Sequence, residues 1–181
     1  MKDFIGNGGV EDINPLPSSS SESLSSGSTR ILPWSVIETT NVLSTQTFSP
    51  RAGAYSIMPG KISQTIETIS GVKYTLSFFI AAFNGPNNQV SLDITIGGSL
   101  TTLTYQSDID WEFRYFEFIA TSTSTQIIFS SSLNGPVLDE ITLTLSSIFS
   151  FFSSFFFFYS SSIQLFSPSS IFFFNPLLLQ M

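Results

Sequence analysis

Apolar and polar residues alternate along two stretches in the middle of the chain. Residues 74–81 and residues 90–96 carry an apolar side chain at every even position, and most of their odd positions are polar or small. A period of two residues is typical of a β-strand with one buried face. The pattern therefore predicts two strands, each with its even-numbered side chains in a core.

Seven further segments have strand-like composition, and turn signals separate neighbouring candidates. Gly97-Gly98 joins two such runs and is a strong signal for a two-residue hairpin. No segment carries an apolar stripe of helical period. The sequence therefore predicts an all-β fold, an antiparallel β-sandwich of the jelly-roll type. The seven further candidates are residues 31–38, 53–58, 61–69, 100–106, 113–120, 125–131 and 137–145.

Residues 74–83 and 113–118 have apolar side chains on both faces in places. One interpretation is a central strand covered on both sides, and the other is a surface that binds a partner. We favour the covered strand at this point.

Composition narrows the function further. The chain has 181 residues, which suits one domain, and its net charge is −7. An acidic protein offers no basic surface for phosphates, so nucleic-acid binding is not expected. The absence of Cys and His excludes thiol nucleophiles, disulfides, imidazole catalysis and Cys/His zinc sites.

The two ends of the chain differ from its middle. Every charged residue lies between Lys2 and Glu140, whereas residues 146–181 consist mainly of Phe and Ser. Three interpretations of this tail are a translated non-coding stretch, a membrane anchor or lipid-anchor signal, and a folded segment, in that order of preference. We expect a domain over residues 1–145, with a solvated Ser-rich loop at Ser18–Ser28. We expect no apolar signal segment before the first strand. Contact with a membrane is expected only if the tail is an anchor.

Four motifs in order resemble a known family. The chain is similar to the family of domain of unknown function 642, and to related carbohydrate-binding modules with the galactose-binding-like jelly roll. It departs from the family pattern at Val10, where Phe is usual, and at Asn134, where Cys is frequent. The motifs are Gly6–Asp12, which resembles the opening strand of the family, Leu32–Val36, Ile62–Phe78, and Gly135–Ile141, which resembles its closing strand.

The resemblance implies a non-catalytic, glycan-associated module of the cell wall or the extracellular space. Its alternative is a structural or regulatory surface domain that binds a protein such as a cell-wall enzyme. A third class, a glycosidase using Asp108, Asp110 or Glu112, would need a carboxyl pair about 5 to 9 Å apart. A solvated loop is the preferred interpretation of these three residues.

The resemblance also implies a structural calcium ion between the first and last strands, for which Glu11, Asp12 and Asp139 are the matching residues. Carboxylate and carbonyl oxygens are the ligands that Ca²⁺ requires. Strand alternation places Asp139 on the core side with Ile141, where a carboxylate must be paired, hydrogen-bonded or bound to metal. The alternative is that Asp139 caps backbone N–H groups.

Aromatic rings are the usual platforms for sugar rings. Trp34 and Trp111 match packing positions in the resembling families. The remaining candidates for ligand contact are Tyr55 and Tyr105, together with Asn84, Asn87 and Asn88 in a predicted loop.

Overall fold

The computed structural model describes residues 3–13, 20–45, 49–82, 89–106, 109–131 and 135–146. These residues belong to one compact unit, Met1–Ser146. The expectations for Asn84, Asn87, Asn88, Asp108 and the tail of residues 146–181, apart from Ser146 itself, lie outside the described residues.

Eleven strands are formed in the described part of the chain, and they make two antiparallel sheets. The six-stranded sheet has the order β1-β3-β4-β11-β6-β9, and the five-stranded sheet has the order β2-β5-β10-β7-β8. The strands are β1 (Ser21–Leu24), β2 (Ser35–Glu38), β3 (Thr40–Ser44), β4 (Tyr55–Met58), β5 (Lys61–Glu67), β6 (Lys73–Ala82), β7 (Gln89–Ile96), β8 (Ser99–Gln106), β9 (Ile109–Ile119), β10 (Ser124–Ser131) and β11 (Val137–Leu145).

The two sheets pack face to face around one aromatic and aliphatic core. Phe78 of β6 meets Phe129 of β10 edge-on at a centroid distance of 5.3 Å, and Trp34 lies 6.0 Å from Phe129. Trp34 is fully buried, as expected for a packing residue, and its indole N–H donates to the carbonyl of Asn7. The predicted antiparallel sandwich is thereby confirmed.

Two predictions about the first half of the chain are wrong. Part of the Ser-rich segment, Ser21–Leu24, is not a solvated loop but a strand that pairs with β3 and buries Leu24. The motif at residues 6–12 is not a strand. It runs beside β11 through a hydrogen bond from the Ile141 N–H to the Gly8 carbonyl. Within the described residues no helix has the length and apolar character needed to cross a membrane.

Candidate functional site

Three aromatic side chains form a row on the outer face of the six-stranded sheet. Phe79 of β6 pairs in register with Phe113 of β9, and Tyr115 lies two residues further along β9. The ring centroids of Phe79 and Phe113 are 5.3 Å apart, and those of Phe113 and Tyr115 are 6.3 Å apart. We name these three residues the aromatic face.

The aromatic face is open because it lies on the side of the six-stranded sheet that points away from the other sheet. Phe113 is 53% exposed and Tyr115 is 62% exposed. A contiguous exposed apolar patch often marks a binding surface. The interpretation of residues 113–118 as a strand covered on both sides is therefore wrong. The inner residues Phe116 and Phe118 pack on the core, whereas the outer ones do not.

Polar groups accompany the aromatic face along the same sheet surface. The hydroxyls of Ser77 and Thr142 lie 2.7 Å apart, and Ser77 is the register partner of Tyr115. Further along, Lys73 and Glu117 form an exposed ion pair at 2.6 Å. The surface thus combines flat apolar rings with hydroxyl and charged groups.

One cation lies at the other end of the row. The guanidinium carbon of Arg51 is 4.7 Å from the centroid of Phe79, a distance typical of a cation–π contact. The Arg51 side chain is exposed. None of the ion pairs within the described residues includes it.

The loop that carries Arg51 is fixed by side chains from three distant parts of the sequence. Asp139 Oδ2 accepts the backbone N–H groups of Arg51 and Ala52 at 2.8 and 3.0 Å. Glu11 accepts the N–H groups of Ala54 and Tyr55 at 3.0 to 3.1 Å. Backbone groups bound in this way hold the loop in place while the Arg51 side chain stays available.

A third contact fixes the start of this loop. The indole N–H of Trp111 donates to the Ser49 carbonyl at 3.0 Å. Trp111 belongs to β9, two residues before Phe113, so the same strand carries both the aromatic face and an anchor for the loop. We name residues 49–55 the pinned loop.

A β-bulge in β11 explains the position of Asp139. The register shifts between Asp139 and Thr142, and Glu140 has a φ of 47°. Before the bulge, Asp139 is the register partner of Phe79, so it lies on the outer side of the sheet beneath the pinned loop. The predicted placement of Asp139 on the core side with Ile141 is wrong because the extra residue reverses the alternation.

Asp139 is completely buried despite its place on the outer side of the sheet. Burial raises the pKa of its carboxyl group and the neighbouring Glu140 charge adds to the rise, whereas the hydrogen bonds from Ala52, Glu140 and Arg51 lower the pKa without cancelling it. The N–H of Glu140 donates to Oδ1 at 2.7 Å. Three backbone N–H groups therefore surround this carboxylate, as the capping interpretation predicts.

The three predicted metal ligands are not gathered into one cluster. Asp12 is exposed, and its backbone is held by the side chain of Asn7. Glu11 and Asp139 both lie beside Gly9, but their oxygens accept hydrogen bonds from the pinned loop and from the N–H of Glu140. Among the described residues no three acidic side chains are placed to hold a metal ion. This donor set does not fit calcium in the arrangement seen, and the calcium binding that the resemblance implies is untested.

The two predicted tyrosines lie in different sheets. Tyr55 begins β4 and packs against the core. Tyr105 lies in β8, where its hydroxyl accepts a hydrogen bond from Arg114 Nε at 3.1 Å. Burial raises the pKa of Tyr105, although Arg114 opposes the shift. Their role in binding stays a prediction.

The acidic residues around Trp111 are engaged with close neighbours. Asp110 accepts the N–H of Trp111 at 2.8 Å, and Glu112 forms an ion pair with Arg114. Glu112 is therefore paired with a cation.

Sequence reasoning missed the aromatic face and Arg51. The signal was the presence of aromatic residues at both odd and even positions of residues 113–118. This pattern cannot distinguish a strand covered on both sides from a strand with one face open to solvent.

Comparisons with known proteins agree with this fold. No curated protein matches the chain by sequence. The carbohydrate-binding module TmCBM61, solved in complex with β-1,4-galactotriose, has a TM-score of 0.50 and 15% identity over 81% of this chain and 100% of that one. It is similar to this chain in its β-sandwich fold.

Two further solved structures match with lower scores. The CBM22-1 xylan-binding domain of Xyn10C from Paenibacillus barcinonensis has a TM-score of 0.43 and 15% identity over 69% of this chain and 92% of that one. The sugar-binding EclA C-terminal domain has a TM-score of 0.40 and 17% identity over 45% of this chain. The match spans 64% of the EclA chain, which is less than two thirds of its length.

A family model extends over nearly the whole described part of the chain, from the N-terminal segment that runs beside β11 to β11 itself. It matches residues 3–144, and its description is "Protein of unknown function (DUF642)". The four sequence motifs lie within this range. The chain therefore belongs to the DUF642 family.

Proposed function

We propose that this domain is a glycan-binding module that holds a polysaccharide on the aromatic face without cleaving it. The observation that carries the proposal is the exposed pair Phe113 and Tyr115 on the outer face of the sheet. The C–H face of a pyranose stacks on a flat apolar ring, and its hydroxyl groups need polar partners, which Ser77, Thr142 and Glu117 supply at this surface.

The similarity of fold to TmCBM61 supports the proposal, since that module was solved with a bound galactotriose. Binding without cleavage is supported by the state of the nearby acids, because Glu112 is paired with Arg114 and Asp110 with backbone. Cell-wall and matrix polysaccharides lie outside the cell membrane, and we therefore propose the cell wall or the extracellular space as the location of the module.

The test measures binding of the purified chain to β-1,4-galactan, xylan and cellulose by affinity electrophoresis, with calorimetry on galactotriose. We expect at least one glycan to bind, and F113A and Y115A each to weaken binding at least about tenfold. L100A is the matched control, because Leu100 is a similarly exposed apolar residue on β8 of the other sheet.

Three results would overturn the proposal. One is binding by F113A and Y115A that equals binding by L100A. Another is that none of the glycans binds while the chain captures a cell-wall protein, and that F113A abolishes this capture. The aromatic face would then bind a protein partner. Release of shorter oligosaccharides by the intact chain, lost in E112Q, would show catalysis instead.

A further inference from the structure

We propose that the aromatic face selects glycans carrying an isolated uronate, with Arg51 binding the carboxylate. This inference rests on the proposed function and names the ligand class of the same surface. Its basis is the contact between the Arg51 guanidinium and the Phe79 ring at 4.7 Å, which places a cation at one end of the row formed by Phe79, Phe113 and Tyr115.

The other described cations are differently placed. Arg30, Lys73 and Arg114 each form an ion pair with a glutamate. Lys61 has no such pair but lies in β5 of the other sheet. Arg51 is thus the cation beside the aromatic face whose charge no described carboxylate neutralises.

The guanidinium group suits a carboxylate better than a neutral hydroxyl. It is planar, always charged and able to donate two parallel hydrogen bonds to a carboxylate. Its stacking on Phe79 restricts its motion, so less conformational entropy is lost when a ligand binds. A uronate whose neighbouring sugar stacks on Phe113 would extend its carboxylate along the row toward Arg51.

The pinned loop keeps this cation in position before any ligand arrives. Asp139 holds the backbone N–H of Arg51 itself, and Glu11 and Trp111 hold the loop on either side. These contacts involve backbone groups of the loop, so a change of the Arg51 side chain leaves them intact.

The net charge of the protein limits the kind of acidic glycan. With a net charge of −7, the molecule repels a densely charged polyanion at long range. A single carboxylate on an otherwise neutral chain meets Arg51 with far less of this repulsion. The surface therefore favours sparse uronate substituents over a continuous polyuronate.

The test compares matched oligosaccharides by calorimetry at low salt. The probes are xylotriose and xylotriose with one glucuronate branch, and galactotriose and trigalacturonate. We expect the branched acid to bind about fivefold more tightly than xylotriose. This is the gain in affinity expected from a partly exposed, charge-assisted hydrogen bond between the Arg51 guanidinium and the glucuronate carboxylate. The preference for trigalacturonate over galactotriose should be smaller.

Three variants complete the experiment. R51Q should lower the ratio of acidic to neutral affinity to about one, and R51K should give an intermediate ratio because an ammonium lacks the planar fork. K61Q removes the same charge from the other sheet and should keep the ratio of the natural chain.

The outcomes separate the two proposals. The uronate inference is overturned if the acidic and neutral probes bind equally and R51Q binds them as the natural chain does. If F113A loses this binding, the proposed glycan binding on the aromatic face still holds. Equal loss of the preference in R51Q and K61Q also overturns it, since a general charge effect would then suffice. Failure of every glycan to bind overturns both.

Discussion

Asp139 is buried, and it ties the pinned loop to the sheet by accepting the backbone N–H groups of Arg51 and Ala52, while the N–H of Glu140 is its third donor. D139A would leave these donors without their acceptor, and we expect it to lower the free energy of unfolding by about 1 to 3 kcal/mol. Urea denaturation measures the loss. D139N, which keeps one carbonyl oxygen, should lose less, and equal stability of D139A and the natural chain would contradict the assignment.

The same residue predicts a dependence of stability on pH. Burial raises the pKa of Asp139 in the native state above its unfolded value, so the native state binds the proton more tightly. The contribution of Asp139 to stability should therefore fall as pH rises from about 4 through the native pKa. The difference in melting temperature between the natural chain and D139N, measured from pH 3.5 to 8, should follow this direction. A difference independent of pH would contradict it.

Gly53 has a backbone conformation that favours glycine and a crowded environment. Its φ is 66°, and an added Cβ would lie 2.2 Å from Glu11 Oε1. G53A should thus combine backbone strain of about 1 kcal/mol with loss of the Glu11 hydrogen bonds. G27A is the matched control, since Gly27 has a φ of 80° and nothing within 4 Å of an added Cβ. Denaturant midpoints should fall further for G53A than for G27A, and equal falls would show that Glu11 simply moves aside.

Calcium binding can be tested at the same residues. In the arrangement described, the oxygens of Glu11 and Asp139 accept backbone N–H groups, and Asp12 is exposed, with its backbone bound by the side chain of Asn7. We expect millimolar Ca²⁺ to leave the melting temperature unchanged, because a ligand stabilises only a state that it binds. A rise of several degrees, abolished by chelator and by E11Q, would show that these carboxylates rearrange around a metal.

At the scale of elements, the two faces of the six-stranded sheet have different roles. Residues on its inner face stabilise the fold, whereas the aromatic face on its outer side is proposed to bind ligand. Phe78 of β6 is fully buried against Phe129, whereas Phe113 of β9 is half exposed on the opposite face. F78A should lower the free energy of unfolding by about 3 to 5 kcal/mol, and F113A by less than about 1 kcal/mol. Chemical denaturation of both variants measures this. A loss in F113A as large as that in F78A would mean that the aromatic face supports the fold rather than a ligand.

The elements that local sequence specifies were predictable. Gly97 and Gly98 take φ values of 55° and 91° in the turn between β7 and β8, as a two-residue hairpin demands, and the period-two segments became β6 and β7. β1 and β3 were missed because they are short and polar at several positions. Their strand character comes from pairing with each other and with β4.

The candidate site was less predictable because it is assembled across the chain. Arg51 meets Phe79, and its loop is held by residues 43 to 88 positions away in sequence. Whether the outer face of β9 is open depends on whether another part of the molecule packs on it, which periodicity does not contain. The bulge at Glu140, which turns Asp139 toward this face, has no glycine to mark it.

At the scale of the whole molecule, β11 lies between β4 and β6 in the middle of its sheet, so the domain needs the chain as far as Leu145. Ser146 completes these contacts, since its N–H donates to the Lys73 carbonyl at 3.0 Å and its hydroxyl lies 2.7 Å from that of Thr75. We therefore propose that residues 1–146 fold without the remainder of the chain.

A chain ending at Ser146 should melt cooperatively, within a few degrees of the full chain, since every described strand is retained. A chain ending at Leu138 is the control, because it removes most of the strand that pairs with β6, and it should not melt cooperatively. Circular dichroism at rising temperature distinguishes these results. Loss of the cooperative transition in the chain ending at Ser146, with the transition kept in the full chain, would show that residues after Ser146 are needed for folding.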